Sequence, residues 1–196
     1  MFFLRSVFFG VFLFGSTAYG ALSPLAISAA PPVQFPPSDY NVTGVRVNLL
    51  VGNHRNVSGI DLGVVGNMTQ QKFVGLALAG GFNYTKGQAT LLGLQLAGLA
   101  NINIEKTQVY GLQAALANYN EAESRLVGVM LGLANISAHT TVAGFQFGIY
   151  NRAKSVYGLQ VGLVNIADNL HGLQIGLMNF HKTGLFYVSP VLNVGF

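Results

Sequence analysis

Residues 156–180 read VYGLQVGLVNI, then ADN, then LHGLQIGLMNF: two near-copies of one segment joined by three turn-forming residues. Each copy alternates. Tyr157, Leu159, Val161 and Leu163 fall on one side of an extended chain and Gly158, Gln160 and Gly162 on the other, the two-residue period of a β-strand. Folding the copies back on each other around Ala167, Asp168 and Asn169 as an antiparallel hairpin sets Leu163 beside Leu173, Val161 beside Ile175 and Leu159 beside Leu177. On the other face this register places Gly162 against Gln174 and Gln160 against Gly176. A long polar side chain beside a glycine suits a tightly curved sheet with little room on its concave side.

The same unit recurs upstream. Gly44, Gly59, Gly75, Gly93, Gly111, Gly128, Gly144, Gly158 and Gly172 follow one another at spacings of 14 to 18 residues. Most are followed by an aliphatic residue, a position that is often Gln, a second apolar residue, Gly or Ala, and a distal Asn. After Gly59, Gly75 and Gly93 that Asn comes one residue later, which sets Asn67, Asn83 and Asn101 on the opposite face of a straight strand. With a last strand from Leu185 to Phe196 the count is ten, even, as a closed single-chain bacterial barrel requires.

Composition points the same way. Asp, Glu, Lys and Arg make up 8% of the chain, against about 25% in an ordinary soluble protein. Beyond the N-terminus, glycine, glutamine and asparagine interrupt every apolar run before it reaches the length of a membrane helix. Alternating strands in so apolar a chain predict an all-β, antiparallel ten-stranded transmembrane β-barrel. Its Leu/Val/Ile face would meet lipid and its Gly/Gln face would line a narrow lumen. The alternative is a parallel β-solenoid in which each copy is one coil, aliphatic residues fill the interior, and Gln and Asn stack in ladders outside. Identical motifs in every copy favour the solenoid. Against it, a 14-residue coil leaves about six residues to return across an eight-residue strand at roughly 3.3 Å each.

The ends set the organisation. Residues 1–20 carry Arg5, an apolar core from Val7 to Phe14 and small residues before Ala21, which reads as a cleaved signal peptide. Residues 21–42 hold prolines at 24, 31, 32, 36 and 37, which block helix and interior strand alike, and read as an extended periplasmic lead-in. Residues 43–196 are then the repeat domain. At the C-terminus Phe186, Val188, Pro190, Leu192, Val194 and Phe196 share one face, and Phe196 is the last residue. This strand resembles the C-terminal signal of bacterial outer-membrane barrels. The resemblance implies insertion by the barrel-assembly machinery, with Leu192, Val194 and Phe196 as the assembly signal. Residues 29–196 also resemble uncharacterised bacterial surface-repeat proteins. PPVQFPP at 31–37, TGVRVNLLVG at 43–52, VSGIDLGVVGN at 57–67 and the copies GLQLAGLAN, GLQAALAN, GFQFGIYN, GLQVGLVN and GLQIGLMN carry that likeness. It implies an exported, surface-associated protein and no particular activity.

Site expectations follow from the barrel. Gln95, Gln113, Gln146, Gln160 and Gln174 would line the lumen, and Arg46 and Asp61, diagonal neighbours on strands 1 and 2, would form a lumenal ion pair that pins the register. Arg55, Lys86, Arg125, Arg152, Lys154 and Lys182 fall in turns of the outer rim, where they would contact lipopolysaccharide phosphates; the plainer reading is that turns carry whatever charge a membrane protein keeps. The expected surroundings are therefore outer-membrane lipid and lipopolysaccharide, at the bacterial outer membrane or cell surface. The +4 net charge is scattered singly, which argues against nucleic acid. There is no cysteine, so neither a thiolate metal site nor a lipid-modified Cys is available. His54, His139, His171 and His181 lie apart without metal-ligand spacing, and no Gly-x-Ser-x-Gly elbow or phosphate loop occurs. The sequence thus predicts no cofactor and no enzyme. It predicts a barrel of structural, adhesive or narrow-pore type or, in the alternative, a secreted surface solenoid acting as an interaction module.

Overall fold

Gly158 pairs with Gly144 on one side and with Gly172 on the other, Gln160 pairs with Gln146 and Gln174, and all of these neighbours run parallel. Like residues stack on like. In the computed structural model, which describes residues 21–184 and 186–196, the chain is a parallel β-solenoid of about ten turns. The segment 1–20, read above as a signal peptide, lies outside the described residues.

β1 (Leu22–Ala30) starts the stack, bordered antiparallel by the short β2 (Val33–Phe35) and parallel by β3 (Asn41–Asn48). The proline-bearing lead-in therefore contributes the first coil. β4 (Val51–Gly63) and β5 (Gly66–Ala79) each lie on the coil before. The next three coils are broken into a short and a longer strand: β6 (Phe82–Thr85) with β7 (Gln88–Ala97), β8 (Ala100–Asn103) with β9 (Thr107–Ala114), and β10 (Ala117–Asn120) with β11 (Ser124–Leu131). β12 (Ala134–Phe147), β13 (Tyr150–Val161) and β14 (Val164–His181) run unbroken, and β15 (Val188–Gly195) closes the stack antiparallel to β14.

The antiparallel barrel is thereby corrected, and with it the expectation of transmembrane strands and a lumen. Residues 167–169 are no hairpin turn; they continue β14. The coil-length objection fails because the chain does not return across an eight-residue strand. It bends within it, at the column of glycines. Gly144 has φ +140° and Gly158 φ +139°, and a Cβ on either would sit 2.1 Å from the carbonyl oxygen of the glycine below. Only a residue without a Cβ both adopts that backbone and allows the approach.

The solenoid alternative also had its faces reversed. In β12 the buried side chains are Asn135, Ser137, Thr140, Val142 and Gln146, while Phe147 and the following Ile149 stand out in solvent. Amides and hydroxyls share the interior with an apolar column, Val42, Val57 and Phe73 in the early coils and Leu126, Val142, Val156 and Leu170 in the later ones, while many of the aliphatic residues that follow the glycines are outside. The later Asn of the early copies does not change face either. Asn67, Asn83 and Asn101 pair in register with one another and, through Asn101, with Asn118. Corners such as Gly80–Gly81 absorb the extra residue.

Candidate interaction surface

Nine asparagines form one line through the interior. From Asn48 through Asn67, Asn83, Asn101, Asn118, Asn135, Asn151 and Asn165 to Asn179, each Nδ2 donates to the Oδ1 of the next at 2.7–2.9 Å. From Asn67 to Asn165 the same Nδ2 also donates to a backbone carbonyl where its own coil ends, as Asn135 does to Phe147 O at 2.8 Å. Those carbonyls sit at the corner, and Leu131, Phe147, Val161 and Ile175 also accept a backbone N–H from the coil before, so the side chain fills their second lone pair. An internal Asn thereby uses both N–H groups and its oxygen, so its burial leaves nothing unpaired. The line begins by substitution. Gly52 stands where the other coils carry Asn, and Asn48 fills its side-chain space: a Cβ on Gly52 would fall 1.7 Å from Asn48 Oδ1.

The five glutamines expected in a lumen are all buried in this interior. Gln113 donates to Gln95 Oε1 at 2.7 Å, Gln160 to Gln146 at 2.6 Å, and Gln174 to Gln160 at 2.7 Å. Met130 divides the column, accepting at its sulfur from Gln146 Nε2 at 3.4 Å. There is no lumen for them to line.

In that column the early coils carry charge. Arg46 and Asp61, 0% and 1% exposed, are directly paired across β3 and β4. Arg46 Nε donates to Asp61 Oδ1 at 2.8 Å and Nη2 to Oδ2 at 2.5 Å, a two-pronged contact. Nη1 donates to Met68 O at 2.8 Å and Nη2 also reaches Thr69 Oγ1 at 3.3 Å, while Asn48 donates to Asp61 Oδ1 at 3.1 Å. His54 completes the cluster. Its Nε2 faces Pro36 O at 3.0 Å and must carry the proton, leaving Nδ1 to accept from Arg46 Nη1 at 3.3 Å. Burial first and the Arg46 charge second hold His54 below the ordinary histidine value, against the Pro36 carbonyl and Asp61. The pair is closed off from solvent, and every N–H of the guanidinium has an acceptor.

The basic residues placed on a barrel rim belong to no rim. Arg55 donates to Gln71 Oε1 at 3.1 Å; Arg152 and Lys182 both pair with Asp168, at 3.0 and 2.9 Å; Lys154 pairs with Glu123 at 2.9 Å. Arg125 and Lys154 share an open polar hollow with Lys106, His139 and Glu123. Lys86 lies in the turn between β6 and β7. Of the C-terminal residues read as an assembly signal, Leu192 and Val194 lie on β15, paired with Ile175 and Leu173 at the end of the stack, and Phe196 follows, fully exposed. Among the described residues no three His, Asp or Glu come together as a metal site.

The feature that the sequence pattern signalled, and that was assigned to lipid in a barrel, is the outer surface. Ile27, Val47, Leu62, Leu78, Leu96, Ala114, Leu131, Phe147, Val161 and Ile175 stack one on the next from the first coil to the last. Two residues earlier in each coil runs a second column, which includes Val45, Ile60, Leu112, Phe145 and Leu159. At the corner beyond, Leu116, Leu133, Ile149 and Leu163 form a third, the last two both 50% exposed. None of these residues is charged. Between the first and third lines of side chains lies an apolar groove of about 470 Å³, floored by Gly132, Gly148, Gly162 and Gly176. No family model, curated protein or solved structure matches this chain. The surface is thus read on its own chemistry. At about 4.8 Å per coil over ten coils and three columns wide, it covers on the order of 700 Å², above the 300–600 Å² typical of a monomer's largest apolar patch.

Proposed function

We propose that this chain is an exported surface β-solenoid that acts as an interaction module, without enzymatic chemistry, and that the three apolar columns are its contact surface. The observation that carries this reading is the division of labour along each strand. Polar side chains that could have kept the surface wet are spent on the interior, and aliphatic ones are left outside in unbroken lines from Ile27 to Ile175. Large uncharged patches of this kind mark places where another surface docks. Fixed by amide ladders, the interior would make the module a rigid support, on which a flat contact face loses little freedom when it binds.

Amine cross-linking on intact cells that express the full chain, followed by denaturing gels, tests the reading. The wild-type chain is expected to shift into a larger species, and Leu133→Glu/Leu163→Glu to stay at the mass of one chain. Equal behaviour of the two overturns the apolar face as the contact surface. Wild-type protein protected from external protease on intact cells would overturn exposure at the cell surface.

A further inference from the structure

We infer that the occupant of the apolar face is a second copy of this chain, packed face to face; this rests on the interaction-module reading and names its partner. Three observations support a copy. The first is size. A face of about 700 Å² per copy is close to the roughly 800 Å² that each partner of a stable interface buries, and its lack of charge is the composition of a permanent rather than a transient contact. The second is shape. The ridge made by Leu131, Phe147 and Val161 runs beside a groove floored by Gly132, Gly148 and Gly162, both along the solenoid axis. A second copy presents the same ridge and groove at the same repeat of about 4.8 Å. Each ridge can therefore lie in the other's groove at the spacing of about 10 Å at which sheets pack. The third is charge. Lys106, Arg125 and Lys154 lie in the polar hollow at the start of the glycine-bearing strands, away from the three columns. Two positively charged copies thus meet without opposing like charges. A lipid surface would instead be served by basic residues flanking the apolar face, where they could reach headgroups.

The symmetry of such a pair makes it testable. A contact between identical faces is two-fold. Ala114 lies in the middle column on the sixth coil, near the centre of the face. A two-fold axis running in the face, whether along the solenoid or across it, brings Ala114 close to its own copy. Since the chain has no cysteine, a single introduced thiol reports this without interference.

The wild-type chain, purified without detergent at micromolar concentration, is expected to show by light scattering twice the mass of one chain. Leu133→Glu/Leu163→Glu should show the mass of one chain with an unchanged β-sheet circular dichroism spectrum. Ala114→Cys should become a disulfide-linked dimer on mild oxidation with diamide, and Thr141→Cys, on the strand before the glycine column, should not. A wild-type monomer, or Ala114→Cys chains that fail to link, overturns the second copy. Should the wild type be monomeric while the cross-linked species on cells persists, the module reading stands and this one falls. A monomer that binds phosphatidylcholine vesicles and loses binding in Leu133→Glu/Leu163→Glu assigns the face to lipid and likewise overturns it.

Discussion

The interior column behind the glycines changes character along the molecule. In β12, β13 and β14 it is Gln146, Gln160 and Gln174, neutral amides joined side chain to side chain. In β3 and β4 it is Arg46 and Asp61, an ion pair held also by Asn48, His54, Met68 and Thr69. Both regions are sealed from water and both solve the same problem, since a buried polar group is tolerated when it finds partners; in the charged region Asn48 Oδ1, at the start of the asparagine line, has none. They differ in what a single loss exposes. Removing one amide from a repeating column leaves neutral groups short of a partner. Removing one charge leaves the other buried alone, which is far more costly.

That contrast orders the expected effects. Asp61→Ala should destabilise most, by about 3–5 kcal/mol, since Arg46 is left charged and buried; denaturant unfolding of the purified variant checks it, and a loss no larger than that of a glutamine variant would erase the distinction between the two regions. Replacing both partners, Arg46→Gln with Asp61→Gln, should recover much of that loss by turning the early coils into the kind of amide column seen later. Gln160→Ala comes next, at roughly 1–3 kcal/mol, because Gln146 Oε1 and Gln174 Nε2 each lose a partner. Met130→Gln probes the break in the column from the other side. With Gln113 below and Gln146 above, an amide there should join the two runs and raise stability by about 1 kcal/mol.

Acid should act on the charged region more gently. Burial and the Arg46 charge hold the folded pKa of His54 below the ordinary histidine value of about 6.5, so in the window just beneath that value the unfolded chain binds more protons than the folded one. Stability is then fully present above that pH and declines as pH falls through the window. His181 acts in the same direction, lowered by desolvation and then by His171, and its Nε2 accepts from Leu170 N–H at 3.0 Å. A thermal midpoint that falls between pH 7 and pH 5, with a shallower fall in His54→Gln, is the expected result; a fall of equal slope in that variant would remove His54 from the account. The smallest effect belongs to the exposed Lys154–Glu123 pair, where Lys154→Ala should leave the unfolding midpoint unchanged within error.

How much of this was readable beforehand depends on what a two-residue period encodes. It separates two faces and is silent on which one is inside. Leu159 and Val161 were placed together on one face and Gln160 on the other, as they are. The aliphatic face was then given to lipid or to a core because apolar side chains are the usual filling of an interior. What reverses the assignment is that Gln and Asn bond to their own kind when copies stack in parallel and in register, so the burial cost vanishes for a column and not for one residue. The recurrence of Gln at Gly144, Gly158 and Gly172, each time two residues on, carried that information. A barrel has no need of it. Arg46 and Asp61 were expected to be diagonal neighbours across a hairpin; they meet instead because each follows a stacked glycine by two residues, which pairs them directly in the parallel register. The corners were less legible: the surplus residue at Gly80–Gly81 shifts no side chain across faces, because it is taken up where the chain turns.

The fourteen-residue spacing of Gly144, Gly158 and Gly172 has a consequence for how such a molecule changes over generations. A tandem duplication of one coil, such as residues 151–164, would insert a segment that already carries its own glycine, glutamine and asparagine at the right offsets. The molecule would lengthen by one step of about 4.8 Å with every internal bond pattern preserved. Length is here a countable trait, altered by copying rather than by redesign, and the outward-facing lines grow by the same increment.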